Sequence, residues 1–111
     1  MRIAIVGSRS LTVDNLEEYL PSGVTEIVSG GAQGIDTSAR EYAKRHGLTM
    51  IEVFPDYETY GKRAPLIRND KIVDLADEVY AFWDGTSHGT KYVIDYCKRI
   101  HKKVTVLVKN K

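Results

Sequence analysis

Short apolar runs alternate along this chain with longer stretches whose apolar residues recur every three or four positions. The runs are RIAIVG (2–7), TEIVSG (25–30), TMIEVFPD (49–56), EVYAFWDG (78–85) and KVTVLVK (103–109). Each is short and rich in β-branched or aromatic residues, and most are bounded by glycine or proline, so each predicts a strand. Between the first two, Leu11, Leu16, Tyr19 and Leu20 predict a helix over 11–21, capped by Thr12 or Asp14 and stopped by Pro21. Ile35, Ala39, Tyr42, Ala43 and His46 mark one face of a second helix, closed by Gly47. Residues 57–65 read as a polar loop, and Leu66, Ile67, Ile72, Val73, Leu75 and Ala76 then form the apolar set of a third helix. Val93, Tyr96, Cys97 and Ile100 predict a fourth over 91–101.

Five strands alternating with four helices predict an α/β fold, a five-stranded parallel sheet with helices on both faces. The 111 residues suit one domain, 1–111, without linker or repeat. Such sheets take ligands at the carboxyl ends of their strands, near the point where strand order reverses.

Composition narrows the function classes. Lys plus Arg number 16 against 15 for Asp plus Glu, a formal net charge of +1, which argues against a protein that chiefly wraps duplex DNA and leaves a local basic pocket open. The single Cys97 permits no internal disulfide and lies on an apolar helix face, which favours core packing over a reactive thiol. The apolar start MRIAIVG is too short for a signal peptide or membrane span, so a cytoplasmic location is expected and no membrane partner. His46, His88 and His101 are scattered, with no cysteine or carboxylate at metal-ligand spacing, so no metal is expected. No Ser-His-Asp arrangement can be read from the chain.

The strand-to-helix loops carry the candidate chemistry: GSRS (7–10), SGGAQGID (29–36), PDYETYGKR (55–63) and WDGTSHGT (83–90). All four bear glycine, and the glycine-rich ones fall on this one edge. In SGGAQGID, between a strand and a helix, Gly30, Gly31 and Gly34 free the backbone to approach an oxyanion at the helix start. The spacing matches neither the dinucleotide fingerprint nor a Walker loop, and the alternative is a tight turn with Asp36 capping the helix. In DGTSHGT, Thr86, Ser87 and Thr90 bring hydroxyls to a second helix start, where Thr86 or Ser87 can equally be a cap. Arg9, just past a strand end, can pair bidentately with phosphate or sit in a surface turn. Arg68 reads either as a ligand arginine or as the partner of Asp70 or Asp74. Trp83, Tyr57 and Tyr60 lie near this edge and can stack on a base, with core packing the other reading for Trp83.

The segments IVGSR, VSGGAQGIDTSAREYA, IRNDKIVDLADEVYAFWDGTSHGT and KKVTVLV together resemble the SLOG superfamily, in particular its small single-domain YspA branch. The resemblance runs over nearly the whole chain and implies a Rossmann-like three-layer sandwich. Two relatives bracket the implied function. DNA-processing protein A, which binds single-stranded DNA, is resembled through GSR, SGGAQGID, SAREYA and RNDKI. The LONELY GUY phosphoribohydrolases, which cleave a nucleoside monophosphate, are resembled through Arg68, LAD (75–77) and the glycine-threonine turn. The resemblance implies that Gly30, Gly31, Gly34, Gly89 and Thr90 line a phosphate or ribose-phosphate pocket, and that Arg68 matches the hydrolases' motif arginine. Val93 stands where those hydrolases carry their catalytic glutamate, which leaves Asp84 or Asp36 to handle a proton.

The expected function is therefore binding or sensing of a nucleotide or nucleotide-derived ligand, of nucleoside phosphate, NAD or ADP-ribose type. The alternatives are hydrolysis of such a ligand, with Arg68, Asp84 and Asp36 as its catalytic set, and single-stranded DNA binding. The expected ligand site comprises Gly7, Ser8, Arg9, Ser29, Gly30, Gly31, Ala32, Gln33, Gly34, Ile35, Asp36, Arg68, Asn69, Asp84, Gly85, Thr86, Ser87, Gly89 and Thr90. The resemblance also implies a homodimer or higher homo-oligomer, for which Tyr42, Tyr92 and Tyr96 are candidate interface aromatics.

Overall fold

The computed structural model of the chain describes residues 1–31 and 33–109. Strands β1 (Arg2–Gly7), β2 (Glu26–Ser29), β3 (Thr49–Glu52), β4 (Glu78–Trp83) and β5 (Val104–Val108) form one sheet in the order β3-β2-β1-β4-β5. Every neighbouring pair is parallel. Parallel neighbours need crossovers, and helices α1 (Ile35–His46), α3 (Ala64–Leu75) and α4 (His88–Arg99) supply three of them. The parallel α/β class expected from the alternation, and the Rossmann-like arrangement that the resemblance implies, are the ones observed.

The period-two alternation of β1 sorts its residues between two cores. Ile3 and Ile5 pack with Ile35, Ala39, Tyr42 and Ala43 of α1, whereas Ala4 and Val6 pack with Ile72 and Val73 of α3 and Val93, Ile94 and Cys97 of α4. The two faces are filled differently. Small residues at Ala4 and Ala81 let two helices lie close to the sheet. On the other face a single helix, α1, leaves room that Tyr80 and Phe82 occupy, with the Tyr19 ring set edge-on to Phe82 at 5.6 Å.

The segment 11–21 is not the expected helix. Only Leu16–Glu18 forms a 3-10 turn. Leu11, Val13 and Leu16 are all buried, a spacing that no helix face provides, and the Val13 amide donates to the Ser38 hydroxyl at 2.9 Å. The segment is a strap laid on α1: side chains of that helix bond its Val13 amide and its Asp14 carbonyl, while the amides of Glu18, Tyr19 and Leu20 bond within the segment.

Residues 57–65 differ in the opposite sense. The Asp56 carboxylate accepts the Thr59 amide at 3.2 Å and starts a short helix, α2 (Tyr57–Tyr60). A 3-10 turn, Gly61–Arg63, leads into α3, which carries Pro65 in its first turn. Strand β3 ends at Glu52 rather than running on to 56. Leu66 and Leu75, read as core by helical spacing, are 39% and 41% exposed, because the buried face of α3 is Ala64, Ile72 and Val73. His46 is likewise exposed, its ring against that of Tyr42 at 4.4 Å. Between α3 and α4, Tyr92 and Tyr96 donate to Asp70 and Asp74, each at 2.9 Å, an i, i+4 ladder matched on both helices. No helix among the described residues is long and apolar enough to cross a membrane.

Candidate functional site

The strand order reverses between β1 and β4. The crossover after β1 leads toward β2, whereas β4 is entered from the far side by α3 and left by α4 toward β5. No crossover covers the carboxyl ends of β1 and β4, and a crevice is left there. It is a cavity of about 450 Å³ bounded by the end of β1, the first half of α3 and the start of α4.

Of the residues expected from sequence, Gly7, Ser8, Arg9, Gly30, Asp36, Arg68, Asn69, Asp84, Ser87, Gly89 and Thr90 line this cavity. Ser29, Gly31, Gln33, Gly34, Ile35, Gly85 and Thr86 are not in its wall. Ala32 lies outside the described residues. Val6, Ser10, Pro65, Leu66, Ile72 and Val93 line the cavity without having been expected. Pro65 and Leu66 had a legible signal, two apolar residues in the first turn of a helix entering the site.

Two glycines make the crevice possible by letting backbones meet. A Cβ on Gly7 would lie 2.5 Å from Ile35 Cγ1 and 2.6 Å from the Phe82 carbonyl oxygen, so this glycine lets α1 press on the end of β1. Gly34 takes φ 70° and ψ −120° at the cap position of α1, facing the backbone of Arg9 and Leu11. The cap is this glycine, and Asp36 sits inside the first turn instead.

Arg68 is the half-buried cation of the site. Its Nη1 donates to the Gly30 carbonyl at 3.0 Å and its Nε to Asn69 Oδ1 at 2.9 Å. Neither Asp70 nor Asp74 is its hydrogen-bond partner, since both accept from tyrosines. A Cβ on Gly30 would fall 2.7 Å from Arg68 Nη1 and 3.1 Å from Asp36 Oδ2, so only a bare backbone passes between them. Burial is the largest influence on the Arg68 guanidinium and lowers its pKa from the ordinary value. Asp36 and Tyr57 oppose that shift, and Arg9 adds to it by like-charge repulsion. Two guanidinium groups thus converge on one cavity.

Asp84 organises the opposite rim. Its Oδ1 accepts the Thr86 and Ser87 amides at 2.9 and 2.8 Å and the Thr86 hydroxyl at 3.2 Å, while Oδ2 accepts the Ser10 hydroxyl at 3.3 Å. These donors, led by the two backbone amides, hold its carboxyl down to a pKa of about 2. At neutral pH it is an anion with little tendency to take up a proton. Ser87 occupies the cap position of α4 without a side-chain capping bond, and its hydroxyl donates to Thr90 Oγ1 at 3.3 Å. The indole Nε1 of Trp83 donates to the Ser87 carbonyl at 2.9 Å, so Trp83, half-buried against the core, braces this turn. The buried Ser8 hydroxyl accepts the Asp84 amide at 3.2 Å and joins the ends of β1 and β4. Cys97 is fully buried, and burial pushes its thiol up to about 11. No group of three or more His, Cys, Asp or Glu side chains among the described residues is placed to hold a metal ion.

Fold and cavity together define a Rossmann-like parallel α/β protein with a two-arginine crevice at its switch point. The family model described as DNA recombination-mediator protein A matches residues 1–64, more than half of the 111 residues. The chain belongs to that family. The matched part includes Gly7–Arg9, the glycine loop and α1, and ends where α3 begins, before Arg68 and the turn at 84–90. Neither a curated protein nor a solved structure matches the chain.

Proposed function

We propose that this protein binds or senses a nucleotide or nucleotide-derived ligand in the switch-point cavity. The observation that carries this reading is the make-up of the cavity wall, which brings Arg9 and Arg68 together with the apolar Pro65, Leu66, Ile72 and Val93. The guanidinium groups suit a phosphate and the apolar side chains suit the face of a base. The start of α4, with Gly89 and Thr90 at the cavity, adds the positive end of a helix dipole. That the second half of the chain contributes Arg68, Asn69 and the glycine-threonine turn to the same cavity supports placement in the small single-domain SLOG branch.

Turnover is the less favoured form of this reading. Val93 lies in the cavity wall and has no proton to exchange. Asp84, held down to a pKa of about 2, is ionised at neutral pH and is poorly matched to either acid or base catalysis there. Hydrolysis would rest on Asp36 and Asp84 with Arg68 holding phosphate.

A second reading, single-stranded nucleic acid, has the family match and one surface feature in its favour. Phe54 and Tyr57 are 64% and 59% exposed beside the site, and the ammonium of Lys71 lies 5.6 Å from the centre of the Tyr60 ring. Exposed rings next to cations are a stacking platform for bases.

Thermal unfolding with added ligand separates the two. AMP, NAD or ADP-ribose at about 100 times its dissociation constant is expected to stabilise the native state by about 2.7 kcal/mol, read as a raised melting temperature. A rise with a single-stranded oligonucleotide and none with any mononucleotide would transfer the assignment to the second reading.

A further inference from the structure

Among the described residues β5 is an edge of the sheet, and its outer side is built from one repeated residue type. The Lys103 carbonyl accepts from the Val79 amide at 3.0 Å, and the Lys109 amide donates to the Trp83 carbonyl at 2.8 Å. Backbone groups alternate sides along a strand. The odd-numbered residues from 103 to 109 therefore bond β4, and Val104, Val106 and Val108 turn their N–H and C=O groups outward. We propose that this edge joins two copies of the chain, β5 running antiparallel to β5 about a two-fold axis at Val106.

The edge is complementary to itself. With Val106 opposite the partner's Val106, Val104 falls opposite the partner's Val108, and each facing pair exchanges both N–H···O bonds. The outward groups of all three valines are used, and two five-stranded sheets become one. The side chains agree with the backbone. Val104 packs against the core beneath α3 and α4, so the alternation of the strand puts Val106 and Val108 on the same face. Both are exposed, and the antiparallel register sets each against another valine. Edge strands commonly deter such pairing with lysine, proline or a bulge. The segment VTVLV holds no charge and no proline, and it pairs with β4 residue for residue. The flanking lysines lie on the other face, where this register sets Lys103 opposite the partner's Lys109, and each is drawn onto its own chain. Lys103 Nζ is 3.4 Å from the Glu78 carboxylate, and Lys109 Nζ donates to the Tyr19 hydroxyl at 2.6 Å and lies 4.5 Å from its ring centre. Because the two sheets run in opposite directions, their carboxyl edges face opposite ways and both switch-point cavities stay open.

Sedimentation equilibrium of the intact protein over a range of concentrations tests this, with amide hydrogen exchange in parallel. A monomer–dimer equilibrium is expected. The amides of Val104, Val106 and Val108, which face outward in the monomer, are expected to exchange more slowly as the dimer fills. Val106→Lys sets like charges against each other at the axis and is expected to raise the dimer dissociation constant at least about tenfold. Val106→Pro removes the central outward N–H, which β4 does not use, and is expected to have the same effect. Melting temperatures of both variants are recorded, so that a loss of fold is not read as dissociation. Protein that stays monomeric into the millimolar range would overturn the inference. So would a dimer whose dissociation constant is unchanged in Val106→Lys, or one in which the three valine amides exchange as fast as in the monomer. Either result would put the interface elsewhere, as on the Tyr92 and Tyr96 side of α4.

Discussion

Gly34→Ala is expected to destabilise the fold by about 4 kcal/mol, the combined cost of backbone strain and overpacking at one position. The first part comes from the conformation. Gly34 sits at φ 70° and ψ −120°, a region that side chains with a Cβ rarely enter. The second comes from its neighbours. A Cβ there would contact the Arg9 carbonyl oxygen, lie 2.7 Å from the Arg9 carbonyl carbon and stand 2.8 Å from the Leu11 oxygen. All of these are backbone atoms, so no rotamer change relieves the contact. The strap would have to lift from α1, drawing Leu11 and Val13 out of the core. Urea unfolding of the variant and the native protein measures the difference. Gly89→Ala is the control, because Gly89 has nothing within 4 Å of its would-be Cβ and no positive φ. That substitution should change stability by no more than about 1 kcal/mol, in the stabilising direction. A loss below about 1 kcal/mol in Gly34→Ala would show that the strap is not held as described.

The second large effect is on binding. Arg68→Ala is expected to raise the dissociation constant for AMP about a hundredfold, equivalent to about 2.7 kcal/mol. Hydrogen bonds to charged groups are worth about 1.5–3 kcal/mol, and the half-buried guanidinium is positioned before any ligand arrives by its bonds to Gly30 and Asn69. Arg68→Lys retains the charge but not the planar fork, and is expected to recover only part of the loss. The alanine variant also leaves the Gly30 carbonyl without this donor, so its melting temperature is recorded alongside. AMP binding unchanged in a folded Arg68→Ala protein would remove this arginine from the site.

The fold was largely legible because its signals are local. Short β-branched runs marked the strands, the spacing Ile35, Ala39, Tyr42, Ala43 marked the buried face of α1, and Gly47, at φ 64°, closes that helix as expected. The strap at 11–21 was not legible because its conformation is decided by a partner distant in sequence, the Ser38 hydroxyl. Its leucines happen to repeat at near-helical intervals. Helix α2 was legible in principle from Asp56 as its cap, but YETYGKR has no apolar face to announce it. The site shows the same division. Arg9 and the turn at 84–90 follow from the rule that such sheets bind at their carboxyl edge, whereas Arg68, inside α3, stood out as a charge in an apolar helical pattern and through the resemblance. The glycine loop is different: residue type alone does not separate a glycine that bares the backbone for a ligand from one that bares it for another strand or helix. Gly30 lies at the cavity, whereas Gly34 serves the contact with the strap, and a Cβ on Gly31 would fall 2.5 Å from the Phe54 ring.

The measurement that bears most directly on the central claim is an amide chemical-shift titration of the native protein with AMP. Saturable shifts are expected, confined to the cavity wall at Gly7–Ser10, Gly30, Arg68–Asn69, Asp84, Ser87 and Gly89–Thr90, with the strand β5 edge unmoved. Shifts absent from those positions at saturating nucleotide, or clustered instead on Phe54, Tyr57 and Tyr60, would contradict it.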